Sequence, residues 1–269
     1  MADVLCSIEE ARQAGTLQVY EKKTKYHDYR FLVRSEEEIK FNISQNISTK
    51  PTGGEYFKPL FIPHYSQDGE SPMDLEDLNH EDIWLDAGAH IGIFATRVLT
   101  QFPRVQKVYC YEPFHNNVEF AQHNIEMNNI QDRCEIIEKA IVTYHEPEVE
   151  FFLSQDSGKH SVHPVKGRPS IIVPAENIND IIRDKGITCI KMDIEGMEYE
   201  MIKAITDWSK LRLVIIEYHF HYSWLLDHRA EKFNEVLAIV ANNFDRVFVN
   251  QSAANHKHFI THFAGFKNI

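Results

Sequence analysis

An open α/β sheet wound on both faces follows from three features of this 269-residue chain. From Glu81 onward, short apolar runs alternate with segments of helical period, the signature of strands joined by crossover helices. The first run, Ile83-Trp-Leu-Asp-Ala-Gly-Ala-His-Ile-Gly92, ends in a glycine turn that leads straight into a helix. A second run, Val108-Tyr-Cys-Tyr-Glu112, closes on an acid 20 residues past Gly92. In such sheets ligands sit in the crevice beyond the carboxyl ends of the strands.

The elements follow in order. Ser7 with Glu10 and Ser35 with Glu38 have capping-box spacing, and Gly15 stops the first short helix. Residues 17–20 and 29–34 are candidates for a hairpin, and Pro51-Thr-Gly-Gly54 breaks the chain. Residues 1–72 are therefore read as an N-terminal α+β extension or cap and 73–269 as the main domain. Main strands are expected at 82–87, 105–111, 134–141, 188–193 and 211–219, with helices at 91–102, 114–128, 177–186 and 196–206. Short strands at 148–154 and 169–174 precede the fourth main strand. A helix over 224–243 leads to a terminal hairpin, 244–250 with 258–265.

Composition narrows the partners. Hydrophobic content of 43% is that of a globular chain, and a formal charge of −12 disfavours nucleic acid and anionic membranes. Cys6, Cys110, Cys134 and Cys189 lack metal or redox spacing and read as core thiols of a reducing compartment. With neither a leader pattern at the N-terminus nor a membrane-length apolar run, a cytoplasmic protein is expected. The sequons at Asn42, Asn46 and Asn250 are then unused.

The glycine turn identifies the ligand class. Glycines allow close backbone approach, and the first helical turn presents free N–H groups. A dinucleotide cradle, Gly-x-Gly-x-x-Gly, is absent, and Asp86 would repel a pyrophosphate while attracting a cation. The ammonium of an amino acid suits it, which points to S-adenosylmethionine; Glu112 is placed to accept the ribose hydroxyls. The plainer alternative is that Asp-x-Gly after a buried strand is only a turn. A nicotinamide-dependent oxidoreductase and a non-catalytic cofactor-binding domain are the rival functions.

Two further strand ends carry chemistry. Lys191-Met-Asp193-Ile-Glu195-Gly196-Met-Glu198 places four ionisable groups in eight residues beside a buried strand, where charges must pair or meet a ligand. Lys191 and Asp193 share a face, as a structural pair or with Asp193 directed to cofactor or substrate. Glu195 and Glu198 suit the helix dipole. In Glu217-Tyr-His219-Phe-His221, alternation puts Glu217, His219 and His221 on one face. A hydroxyl needs a base to become a nucleophile, and His219 is the first candidate. Alternatively, Asp193, Glu217 and His219 would collect magnesium or manganese, the less favoured arrangement. Phe220, Tyr222 and Trp224 offer faces for a sugar or for core packing. The loop 154–169, with Lys159, His160, His163, Lys166 and Arg168, is the basic segment of an acidic protein and faces an anionic substrate or simply solvent.

Leu85-Asp-Ala-Gly-Ala-His-Ile-Gly92, Tyr111-Glu-Pro113, Asn177-Ile-Asn-Asp-Ile-Ile182, Ile190-Lys-Met-Asp-Ile-Glu-Gly-Met-Glu198 and Ile215-Ile-Glu217 occur in an order that resembles the FkbM-type S-adenosylmethionine-dependent methyltransferases. The resemblance spans about residues 80–220; Asn177-Ile-Asn-Asp departs from the usual Thr-Leu-Asp-Asp. It implies a Rossmann-like, seven-stranded class I methyltransferase sheet ordered 3-2-1-4-5-7-6 with the last strand antiparallel, and O-methylation of sugars or other small-molecule hydroxyls. The candidate cofactor contacts are Asp86, Gly88, Ala89, His90, Gly92, Glu112, Pro113 and Ala140, with Glu55 in a segment that would lie over the cofactor as a lid. His219, Asp193, Glu217 and Lys191 are the candidate catalytic residues.

Overall fold

The computed structural model describes residues 5–48, 75–164, 166–220, 229–249 and 260–267. Helix α1 (Ile8–Gln13) begins at the expected capping box, with Ser7 and Glu10 bonded reciprocally. Strands β1 (Gln18–Lys23) and β2 (Asp28–Val33) form the expected hairpin. A π-helical turn, Glu38–Ile43, runs into the short helix Ser44–Asn46. The second capping box forms only in half. Ser35 Oγ accepts the Glu38 N–H at 3.4 Å, but the Glu38 carboxylate turns inward and accepts the N–H of Arg34 at 2.7 Å.

The main domain continues with β3 (Ile83–Ala87), α2 (Ile93–Gln101), β4 (Lys107–Tyr111), α3 (His115–Met127), β5 (Cys134–Ile137) and β6 (Ala140–Val142). Next come β7 (Glu148–Phe152), β8 (Ser170–Asn177), α4 (Ile178–Lys185), β9 (Cys189–Met192), α5 (Glu198–Ala204) and β10 (Leu213–His219). Helix α6 (Arg229–Asn243), β11 (Arg246–Val249) and β12 (Ile260–Phe266) complete it. The main sheet is ordered β5-β4-β3-β9-β10-β12-β11, which is 3-2-1-4-5-7-6 with β12 antiparallel to both neighbours.

One expected strand, 134–141, is two. The Lys139 N–H bonds back to the Ile137 carbonyl at 2.9 Å, a three-residue turn that takes the chain out of the main sheet. Strand β6 then pairs with β8, and β8 with β7, so the expected short strands belong to a separate three-stranded sheet. Both halves of the run are apolar, and hydrophobic pattern alone does not mark such a break.

Alternation divides the sheet between two cores. Ile190, Met192, Val214 and Ile216 face α4, α5 and α6, whereas Cys189, Leu213 and Ile215 face the side covered by α2. Strands buried on both faces read as the nearly unbroken apolar runs of the sequence. The N-terminal hairpin docks on α3: Tyr29, Phe31 and Val33 share a cluster with Ile91, Ile93 and Phe120. Side chains of α3 also satisfy the β2 backbone, with Asn124 accepting from Leu32 N–H at 2.6 Å and Asn128 from Arg30 N–H at 3.1 Å. Among the described residues no helix is long and apolar enough to cross a membrane.

Helix α6 seats on β12 through a missing side chain. A Cβ at Gly265 would lie 2.5 Å from Val240 Cγ1 and 2.8 Å from Phe244 Cδ2. Gly265→Ala should therefore push α6 off the sheet and cost about 1–3 kcal/mol of stability, the usual range for overpacking. Urea denaturation checks this; an unchanged midpoint would mean that the helix does not pack there.

Candidate active site

The turn after β3 is built by left-handed backbone. Gly88, His90 and Gly92 have φ of 77°, 50° and 79°. The Gly88 and Ala89 N–H groups both donate to the Tyr111 carbonyl, at 3.1 and 3.0 Å, which ties the turn to the end of β4. No side chain fits at Gly88, since a Cβ would come within 1.9 Å of the Asp193 carbonyl oxygen. Gly92 is required by its left-handed backbone, since a side chain there would find room. A Cβ there would sit 3.6 Å from Ala121 on α3, and Gly92 lies outside the cavity lining, unlike its expected role as a ligand contact.

A cavity of about 620 Å³ opens at the strand ends. Gly88, Ala89, His90, Glu112, Pro113 and Ala140 all line it, as do Lys191, Asp193 and Glu217. Glu112 is buried and accepts from the N–H groups of His90 (2.9 Å) and Phe114 (3.0 Å) and from the Asn117 amide (3.2 Å). Burial nevertheless outweighs these bonds and pushes its carboxyl up to about 7. His90 is held well below its usual value by burial and by Arg34, so it is neutral.

Asp86 differs from its expected role. It is fully buried and outside the cavity lining, and the cation it faces is Lys191, at 3.2 Å. Burial raises the Asp86 carboxyl against the opposing effect of Lys191. Lys191 also donates to the Gly88 carbonyl at 2.8 Å and lies 3.7 Å from Asp193. Burial opposes its charge, but Asp86 and Asp193 prevail and raise it.

His219 is a second correction. It is fully buried, does not line the cavity, and its Nδ1 lies 3.0 Å from Glu198 Oε1. Its Nε2 faces Glu217 at 3.5 Å, Glu195 at 3.6 Å and Asp193 at 4.0 Å. Burial disfavours the charged ring, yet Glu195, Glu198 and Glu217 together raise it well above its usual value. Set outside the cavity lining and among these carboxylates, His219 is placed as their counter-ion. Glu217 is correspondingly held low: burial is outweighed by the His262 hydrogen bond at 2.8 Å and by the charges of His262, His219 and Lys191.

Glu195 and Glu198 do more than favour a helix dipole. Glu198 accepts from the N–H groups of Ile194 and Gly196 at 3.2 and 3.0 Å as well as from His219, so one carboxylate holds both the turn and the ring. Glu195 has φ of 53°, and it lines the cavity. The Lys-x-Asp-x-Glu-Gly-x-Glu spacing could have flagged both residues.

The N-terminal segment supplies a wall that no motif predicted. Ser35, Glu38, Asn42 and Gln45 line the cavity. Glu38 accepts from the Ser157 hydroxyl at 3.2 Å, and Ser157 Oγ lies 2.9 Å from His90 Nε2. Arg34, 3.5 Å from Glu38, donates to Asn117 at 2.6 Å. In the loop 154–169, His160 is buried and pushed down to about 3 by that burial, His163 down to about 4, and Lys159 pairs with Asp156 at 2.7 Å. Much of the loop's basic character is thus neutralised. Phe220 packs in the core against Tyr218 and Phe233. Glu55, His221, Tyr222 and Trp224 lie outside the described residues.

Comparison with known proteins places the chain. The profile of the Methyltransferase FkbM domain matches residues 86–247, more than half of it. No curated protein matches it in sequence. Similar solved structures include an FkbM methyltransferase from Methylobacillus flagellatus KT, 21% identical, with 69% of this chain and 43% of that chain covered and a TM-score of 0.43. This chain thus spans less than half of that protein. An O-methyltransferase from Bacillus cereus in complex with SAH is 13% identical over 69% of this chain and 74% of its own, with a TM-score of 0.41. The precorrin-6y C5,15-methyltransferase of Geobacter metallireducens GS-15 is 11% identical over 72% and 85%, also with a TM-score of 0.41.

His219 provides a test of the charge arrangement. Replacing it with alanine leaves buried carboxylates without their counter-ion, which should cost about 3–5 kcal/mol. A group whose folded pKa is raised contributes fully below its unfolded value, about 6.5, and loses that contribution as pH rises through the folded value. The His219→Ala penalty should therefore be larger at pH 6 than at pH 9 in denaturant titrations. A penalty that grew with pH would contradict the imidazolium.

Proposed function

Because the chain belongs to the FkbM family of S-adenosylmethionine-dependent methyltransferases, we propose that it transfers a methyl group to a hydroxyl of a sugar or glycan. The observation that carries this reading is the convergence of Asp193, Glu195 and Glu217 on the same cavity as Glu112, which Ser35, Asn42 and Gln45 also line. Carboxylates can receive a hydroxyl proton, and carboxamides and a hydroxyl both donate and accept, which suits a polyhydroxylated acceptor.

The residues present fit the cofactor. Glu112 offers a carboxylate to ribose hydroxyls, and Pro113, Ile141, Phe151 and Val162 give apolar lining for a purine. Bound S-adenosylmethionine supplies a methyl on an already activated sulfonium. Orientation can then provide much of the rate. Asp193, kept beside the Lys191 ammonium, receives the hydrogen bond of the acceptor hydroxyl and takes its proton as the oxygen attacks. Lys191 holds both Asp193 and the Gly88 carbonyl, so it sets the distance between the two halves of the site.

A ligand that donates to Glu112 binds the ionised form. With the carboxyl near 7, S-adenosylhomocysteine affinity should rise with pH through about 7 and level off above it. Calorimetry from pH 5.5 to 8.5 reads this, and Glu112→Gln should weaken binding and flatten the profile; a flat wild-type profile would exclude Glu112 as the acceptor of those hydroxyls.

For the acceptor, labelled methyl should appear on members of a panel of oligosaccharides and small polyols. Asp193→Asn should lower turnover by about 10²–10⁴-fold, the range for loss of a general base, with cofactor affinity nearly unchanged. If the cofactor binds but no hydroxyl compound is methylated, the chain is a cofactor-binding domain rather than a hydroxyl methyltransferase.

A further inference from the structure

We propose that Asp193, Glu195 and His219 form a binding site for a divalent cation, best matched by manganese, with Glu217 beside it. One donor atom from each of Asp193, Glu195 and His219 lies within 4.8 Å of the other two. From His219 Nε2 the carboxylate oxygens of Glu217, Glu195 and Asp193 are 3.5, 3.6 and 4.0 Å away. In an octahedron with bonds of about 2.1 Å, neighbouring ligands are about 3.0 Å apart and opposite ones about 4.2 Å. The three distances from His219 Nε2 fall between those limits.

The histidine is aimed at this point by construction. Glu198 is fully buried, holds Nδ1 at 3.0 Å, and so fixes Nε2 toward the three carboxylates. A carboxylate behind an imidazole is the usual second layer of a metal–histidine bond. The same Glu198 binds the N–H groups of Ile194 and Gly196, on either side of Glu195, and thereby orients a second ligand. Glu195 keeps a left-handed backbone there, a conformation that costs energy unless its surroundings impose it.

Charge and donor type select the ion. Four carboxylates, Asp193, Glu195, Glu198 and Glu217, surround one imidazole; of the nearby cations, Lys191 is shared with Asp86, and His262 bonds Glu217. Oxygen donors suit magnesium and manganese, and the imidazole favours the latter. To coordinate an ion the ring must be the neutral base.

The site gains a function from the preceding reading, on which this part rests. Asp193, Glu195 and Glu217 line the cavity shared with Glu112, so the ion would meet an acceptor hydroxyl there and lower its pKa.

The test uses the full chain after dialysis against a chelator, titrated with manganese chloride by calorimetry and followed by electron paramagnetic resonance. One ion per chain, with nitrogen modulation from a single imidazole in the wild type, is expected. Glu195→Gln and Asp193→Asn should each weaken that binding about 10–100-fold, while S-adenosylhomocysteine affinity changes less than about threefold. The nitrogen signal needs no variant, so a misfolded substitution does not remove the test. Cofactor binding without manganese binding overturns the metal site and leaves the methyltransferase reading intact. Manganese binding without cofactor binding does the reverse. Binding that lacks the nitrogen signal, or that survives both substitutions, places the ion elsewhere and overturns the proposal.

Discussion

At the centre of the main sheet, Lys191 of β9 and Asp86 of β3 are register partners across two parallel strands, and both are buried. Such a pair is sustained only with close geometry and further hydrogen bonds, because each ion has lost its hydration. Lys191 finds them in Asp86 at 3.2 Å, the Gly88 carbonyl at 2.8 Å and Asp193 at 3.7 Å. The ammonium therefore joins the glycine turn after the first main strand to the acidic turn after the fourth. The cavity exists where these turns are held side by side, at the switch point of the strand order.

A second buried hub, Glu198, organises the far side. It fastens the backbone around Glu195 and the ring of His219, and the ring in turn balances Asp193, Glu195 and Glu217. The two hubs carry opposite charge and meet at Asp193, which touches both Lys191 and His219. Asp193 also lines the cavity, as does Glu217, which feels the charges of the same two cations. The position of Asp193 follows from the hubs rather than from its own strand, since it lies one residue past the end of β9.

The positions of the strands and the glycine turn were legible because they are local: apolar alternation, glycines at fixed offsets, and an acid at the end of a second strand; the strand order came with the family resemblance. The hairpin 17–34 and the terminal β-rich pair were readable for the same reason. What escaped the pattern is long-range. The partner of Asp86 is 105 residues away in sequence, and nothing near Asp86 announces that its cation comes from the protein itself. His219 looked like a base because its alternation with Glu217 is visible, whereas Glu195 and Glu198, which also surround it, come from the segment just after β9, earlier in the chain. The break at Lys139 was hidden between two apolar segments.

The N-terminal segment changes what the core can bind. Arg34 lies 4.3 Å over the Phe120 ring and bonds Asn117, which also bonds Glu112. Glu38 bonds Ser157, the residue against His90. Two chains of contact thus run from the segment before the sheet to the expected ribose acceptor and to the glycine turn. The same segment therefore both supplies Asn42 and Gln45 to the cavity wall and supports Glu112 through Arg34 and Asn117. The strand-end wall of the cavity comes from residues in the sequence motifs, whereas Ser35, Asn42 and Gln45 belong to a segment whose polar side chains follow no period, which is why spacing reveals one wall of the cavity and not the other.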